Sequence, residues 1–249
     1  MQDFKFGQEM LGKYVFGAKT NVDLVFVIDA TQSMSPILDT VKSFALSFHE
    51  KVVDGLKKFN KSVNQLRVKV IAFRDYYCDD KLAMIQSEFF YLPDENSQFK
   101  EFVSKIEPKG GGDIPESALE ALALAMRSDW VTEGTSKRHA IVLFTDAPAH
   151  PLEQQKDGIP SNYPENMFQN FNELLEAWGV GQGVCSDTKE VFKMDKNARR
   201  LILFAPDVEP WSDVQNYFEQ CFLTEIGLDK GGEELDMDIV INTISKSIK

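Results

Sequence analysis

Cysteine is scarce in this chain. Cys78, Cys185 and Cys221 are three in 249 residues, widely separated and without metal-ligand spacing. They offer neither a thiolate metal knuckle nor a disulfide framework and fit a reducing compartment. Histidine is as rare. His49 sits beside Glu50 in a helical stretch and His139 at the start of a strand, which leaves His150 as the one candidate for chemistry. Basic residues are outnumbered, 27 Lys and Arg against 39 Asp and Glu, for a net charge of -12. That balance argues against nucleic acid, whose phosphates need Lys and Arg in excess. No apolar run reaches the roughly 18 residues of a membrane span, and the opening MQDFKFGQEM is charged where a secretion signal has an apolar core. A GxxxxGKS or GxxxxGKT loop for nucleotide phosphates is missing as well. The expectation is a cytoplasmic protein that contacts neither membrane nor nucleic acid.

What is present is a strongly patterned globular chain, 43% apolar and 27% charged. Residues 22–28 (VDLVFVI) read as a strand buried on both faces, as in a parallel sheet. A helix over 36–58 follows, opened by Pro36, and then a strand over 66–73, with Arg67 and Lys69 marking its less buried start. A short strand over 85–91 suits an antiparallel edge. Further segments are a short helix around 99–106, a helix over 116–129, a buried strand over 138–145 and a surface loop over 151–165. A helix over 165–178, a strand over 199–205 and a helix over 211–223 complete the series, while 179–198 has no clear pattern. This alternation predicts an α/β fold: a doubly wound, mostly parallel central sheet with helices on both faces and one antiparallel edge strand. Residues 1–20 form an N-terminal arm packed on the domain, 21–225 the domain itself, and 226–249 a C-terminal amphipathic helix packed on the sheet.

The first strand ends in Asp29, and Thr31 and Ser33 follow at alternate positions before the Pro36 helix. A carboxylate and two hydroxyls thus stand where an open α/β sheet binds ligands. They can also be ordinary helix caps. Two more loops decide between these readings. The run KGGGD brings Asp113 to the start of the 116–129 helix, and the 138–145 strand runs into Asp146. Three carboxylates held close repel one another, and a divalent cation offsets that repulsion. Oxygen donors without sulfur or imidazole suit Mg²⁺ first, with Mn²⁺ or Ca²⁺ as alternatives. The expected ligands are Asp29, Thr31, Ser33, Asp113 and Asp146. Ser117 is the other candidate in the second loop, and Asp75 and His150 are candidates for contact with metal-bound water or a partner. Tyr76, Tyr77 and Tyr163 could form an aromatic rim for protein contact. Trp178 and Trp211 follow helical apolar spacing and are expected in the core.

These motifs resemble the von Willebrand factor type A domain with its metal-ion-dependent adhesion site. Asp29-Ala30-Thr31-Gln32-Ser33-Met34 matches the family's Asp-x-Ser-x-Ser, with Thr for the first Ser, and Phe144-Thr145-Asp146-Ala147 matches its Thr-Asp-Gly loop, with Ala for Gly. GGGDIPES is similar to the second loop of intracellular and microbial members, including those associated with atypical kinases and bacterial stress-response kinase/phosphatase clusters. The resemblance spans residues 20 to 225. It implies a metal-dependent protein-binding adaptor, not an enzyme, whose cation takes an Asp or Glu from a protein partner, with a kinase or phosphatase among the candidates. The alternatives are an Mg²⁺-dependent phosphoryl-transfer or hydrolytic enzyme, with His150 as its only base, and a structural subunit whose metal stiffens loops.

Overall fold

Lys19–Asp29 forms β1, the central strand of a seven-stranded sheet, and every one of its residues after Lys19 is buried. The computed structural model describes residues 19–45, 47–59, 61–111, 114–180, 193–233 and 235–248. Residues 1–18 of the expected N-terminal arm, Asp113, Cys185 and most of the unassigned 179–198 stretch lie outside them, while residues 19 and 20 of that arm open β1. β2 (Ser62–Phe73) lies parallel to β1 on one side. β5 (Lys137–Phe144) lies parallel on the other, followed outward by β6 (Arg199–Ala205) and β7 (Cys221–Glu225), all parallel. Two short segments, β3 (Met84–Gln86) and β4 (Phe90–Leu92), pair antiparallel with the two halves of β2. The doubly wound sheet with an antiparallel edge is thus as expected, the edge running in two pieces.

Alternation along β1 sorts its side chains between two cores. Val22, Leu24, Phe26 and Ile28 face α1 (Ser35–Phe44), α2 (Phe48–Lys57), α3 (Asn96–Ser104) and α7 (Met237–Ser247). Val25 and Val27 face α4 (Ala118–Met126), α5 (Phe171–Val180) and α6 (Trp211–Tyr217). Trp178 and Trp211 are fully buried on this second side, as their spacing predicts. The tail helix, α7, contributes Val240 and Ile244 to the first core.

Arg67 departs from expectation. It is buried, because Asp23 one strand over accepts a two-point contact from it: Nε to Oδ1 at 2.8 Å and Nη2 to Oδ2 at 2.6 Å. The Val131 amide also donates to Asp23 Oδ2 at 2.7 Å, so the one charge in the β1 run is fully engaged. The expected 36–58 helix is two helices, the first ending at Phe44 and the second starting at Phe48. The expected 211–223 helix stops at Tyr217, and its last residues become β7. Gln220, with φ +61, makes the corner between them.

Candidate functional site

The chain runs from β1 to β2 on one side and later enters β5 on the other, so the sheet order reverses between β1 and β5. A crevice opens at the C-terminal ends of strands at such a reversal. Asp29 ends β1, and Thr145 and Asp146 follow β5 directly. Asp29, with no exposed surface, is held from both sides: Oδ1 accepts from the Thr31 amide at 3.0 Å and the Thr31 hydroxyl at 2.6 Å, and Oδ2 from the Thr145 hydroxyl at 2.7 Å. Thr31 Oγ1 lies 3.2 Å from Ser33 Oγ, and the Ser33 hydroxyl donates to Asp146 Oδ1 at 3.0 Å. Four predicted residues from two loops therefore form one continuous chain of oxygens. Thr31, Ser33 and Asp146 line a cleft of about 570 Å³ together with Gly111, Glu116 and Asp229, and Asp29 lies behind that wall.

Burial makes both carboxylates reluctant to ionise. It raises Asp29 to about 6 against the hydrogen bonds from Thr31 and Thr145, with the Asp146 charge adding to the rise. Asp146 is also raised, again mainly by burial. Such a pair, in an oxygen-only setting beside hydroxyls, fits a hard divalent cation. The set is lean in charge, however. Among the described residues no three His, Cys, Asp or Glu side chains gather as a metal cluster.

The other predicted residues are brought together elsewhere. The Ser117 hydroxyl donates to Asp75 Oδ1 at 3.1 Å and accepts from the Tyr76 amide at 3.0 Å. His150 Nε2 stands 3.5 Å from the same Asp75 oxygen. Burial pushes Asp75 up, but His150, the Tyr77 amide and Cys78 outweigh it and hold the carboxyl below its usual value. Of the three tyrosines, only Tyr77 is partly exposed. Tyr76 and Tyr163 are buried with ring centres 5.1 Å apart.

Several residues hold the site by contacts the sequence reading did not give, and Arg74, read there as an ion-pair partner for Asp75, instead binds carbonyls. Arg74, buried at the end of β2, donates to the carbonyls of Leu82, Glu107 and Lys109 at 2.6, 2.6 and 2.7 Å. It thereby fixes the start of the glycine loop, whose Lys109 amide donates to the Ala30 carbonyl at 3.0 Å. Gly111, at φ +82, lies against Thr31, where a Cβ would stand 3.2 Å from the threonine Cβ. Trp211 Nε1 donates to the Ala147 carbonyl at 2.9 Å and ties down the third loop from α6. A fourth loop arrives after β7. There the Asp229 amide donates to the Asp146 carbonyl at 2.9 Å and the Gly231 amide to Asp146 Oδ2 at 2.7 Å. Each of these is a backbone contact across distant segments, which periodicity and motif spacing do not register.

Residues 86–165 match the von Willebrand factor A domain family. Over 148 residues, 59% of this chain, the sequence is 26% identical to alpha-protein kinase vwkA of Dictyostelium discoideum, and it spans 22% of that relative's length. Similar solved structures include the pilus adhesin SpaC of Lactobacillus rhamnosus GG in its open conformation, at TM-score 0.49 and 11% identity over 93% of this chain and 31% of that one. The vWF domain of the type V pili tip protein Mfa5 of Porphyromonas gingivalis gives 0.49 and 12% over 94% and 98%. Proximal thread matrix protein 1 of the mussel byssus gives 0.43 and 14% over 92% and 46%. The expected cytoplasmic placement is corrected to an unassigned one: these neighbours are themselves pilus and thread-matrix proteins. A core this well buried needs no disulfide in any compartment, so scarce cysteine does not assign one. No helix among the described residues is long and apolar enough to cross a membrane. With the match over 86–165, the chain is similar in part to a von Willebrand factor A domain, and its mostly parallel sheet flanked by helices is of that general kind.

Proposed function

We propose that this domain is a metal-dependent protein-binding module, an adaptor and not an enzyme. The observation that carries the reading is the oxygen chain Asp29–Thr31–Ser33–Asp146 at the mouth of the switch-point cleft. These residues would hold Mg²⁺, or Mn²⁺ or Ca²⁺, with Asp113 as the second-loop donor. Ser117 is the weaker candidate for that role because Asp75 and Tyr76 already engage its hydroxyl. Cation bound there supplies a positive centre with an open coordination position for a partner's Asp or Glu. The chain's own part is orientation. Thr145 and Thr31 fix Asp29, Gly231 fixes Asp146, and Arg74 fixes the glycine loop. For the catalytic alternative, its one candidate base, His150, faces Asp75 and is not among the residues lining the cleft. A kinase is a candidate partner, since the Dictyostelium relative is itself an alpha-protein kinase.

Calorimetric titration with Mg²⁺ and Mn²⁺ tests the site. Asp29→Ala and Asp146→Ala should each abolish binding while circular dichroism shows the fold retained. Binding by both variants as tight as wild type's would overturn the assignment. Capture of an acidic partner by wild type in Mg²⁺, lost in EDTA and in Asp29→Ala, is the corresponding functional result.

A further inference from the structure

The two edges of the sheet are not alike. Beyond β2 it closes with β3 and β4, short antiparallel pieces that break that edge in two. A short, interrupted edge resists pairing with another chain. The opposite edge is β7, an unbroken strand (CFLTE) with neither Lys nor Pro, its residues only half-buried or exposed. The Leu201 amide donates to the Gln220 carbonyl at 3.0 Å where β7 begins, and the Ile226 amide to the Ala205 carbonyl at 3.2 Å where it ends. By alternation, Phe222 and Thr224 turn their backbone groups to β6, while Cys221, Leu223 and Glu225 turn theirs outward. Beside this edge Phe222 is 42% exposed. It lines a groove of about 490 Å³ with Arg200, Gln220 and, from α7, Thr243 and Lys246.

Charge changes sign along the edge. Arg200 and Lys246 lie at the start of β7, where Glu219 already accepts from the buried Arg199 at 3.3 Å. Glu225 ends the strand, and Asp229, Glu233 and Asp236 follow, all exposed, against Lys230.

We infer that β7 is a dimer edge: a second copy of this chain adds its own β7 antiparallel across a two-fold axis, making one continuous sheet. An isologous contact must match itself, and this strand does so when the axis passes Leu223. Cys221 then stands opposite the partner's Glu225, and Leu223 opposite its own counterpart. That register engages every outward amide and carbonyl of β7, which centring on Phe222 or Thr224 does not. It lays Phe222 against the partner's Thr224, an aromatic on a β-branched side chain, and opposes no like charges across the strands. The basic start of each edge comes beside the acidic end of the other. A strand pair this short buries less than a standard interface, so the expected association is micromolar. The contact is independent of the metal reading.

Sedimentation equilibrium of the full chain from about 1 to about 500 µM should show the mass rising toward twice that of one chain. Phe222→Lys, at an exposed position, should weaken association roughly tenfold or more with an unchanged circular dichroism spectrum. Disulfide trapping with oxidised glutathione reads the register, in a background carrying Cys78→Ser, Cys185→Ser and Cys221→Ser. Leu223→Cys should cross-link to itself, because opposed hydrogen-bonded residues have Cα atoms about 5.5 Å apart. Phe222→Cys alone should not, yet it should cross-link when mixed with Thr224→Cys. A chain that stays monomeric over the whole range overturns the inference and leaves the edge to a strand of another protein. A dimer that Phe222→Lys leaves intact and that traps none of these pairs overturns it equally, by placing the contact elsewhere.

Discussion

Glu120 sits on α4 almost without exposure, and the Tyr163 hydroxyl donates to its Oε1 at 2.8 Å. Burial raises it from 4.5 to about 7, the hydrogen bond from Tyr163 opposing the rise. The sign follows from proton binding. Between about 4.5 and about 7 the folded protein holds a proton that the unfolded chain has released, so this residue's contribution to stability falls as pH rises through that window. The loss at pH 8 is on the order of 3 kcal/mol. Glu120→Gln, whose amide oxygen can still accept from Tyr163, should be more stable than wild type at pH 8 and similar to it at pH 4.5. Urea unfolding at the two pH values checks this, and equal pH slopes in variant and wild type would refute it. Position 120 was read from the sequence only as part of an amphipathic helix. A Glu among Ala and Leu reads as the solvated side of a turn, and its burial depends on a tyrosine 43 positions away.

At the scale of elements, the same limit divides what was legible from what was not. The strands β5 and β6 were readable nearly to the residue, and β1 from its fourth residue on, because they are buried on both faces and carry apolar runs. β7 was not. It is an edge strand whose residues are only half-buried or exposed, so its alternation is weak and helical spacing from Trp211 to Phe222 masked it. The break between α1 and α2 was equally hidden, since Val41, Ala45, Phe48 and Val52 keep one buried face through it. Some boundaries did have a local signal. Asn170 caps α5, its Oδ1 accepting from the Glu173 amide at 3.0 Å, an Asn-x-x-Glu start that sets the helix later than the expected 165. Asp236 caps α7 in the same way, accepting from the Ile239 amide at 2.8 Å. The β1–β2 pairing adds a prediction. Arg67→Met leaves Asp23 buried without its cation and should cost about 3–5 kcal/mol in chemical denaturation. Adding Asp23→Leu should recover much of that loss, whereas a double variant no better than the single one would show that packing, not charge, dominates there.

For the molecule as a whole, the site is a product of topology. Asp29 and Asp146 are 117 residues apart in number but adjacent because β5 enters on the far side of β1, and two further loops close over them from β2 and β7. The sequence marked the oxygen donors on the first and third loops. The roles of Thr145, Arg74, Gly231 and Trp211, which hold those donors, were not readable because they depend on contacts between distant segments. A cavity built around buried carboxylates trades stability for function, and that trade can be measured. Without divalent cation, Asp29→Asn should melt no lower than wild type, since it removes a charge that burial disfavours and keeps an acceptor for Thr31 or Thr145. With Mg²⁺ at a hundredfold excess over Kd, wild type should gain about 2.7 kcal/mol. For a chain of this size that is about 5–10 °C in Tm, and the Asn variant should gain none of it. The order of the two proteins therefore reverses or widens on adding metal and returns in EDTA. A wild-type Tm indifferent to Mg²⁺, with Asp29→Asn melting lower under both conditions, would mean that the oxygen chain is a structural network closing the end of the sheet.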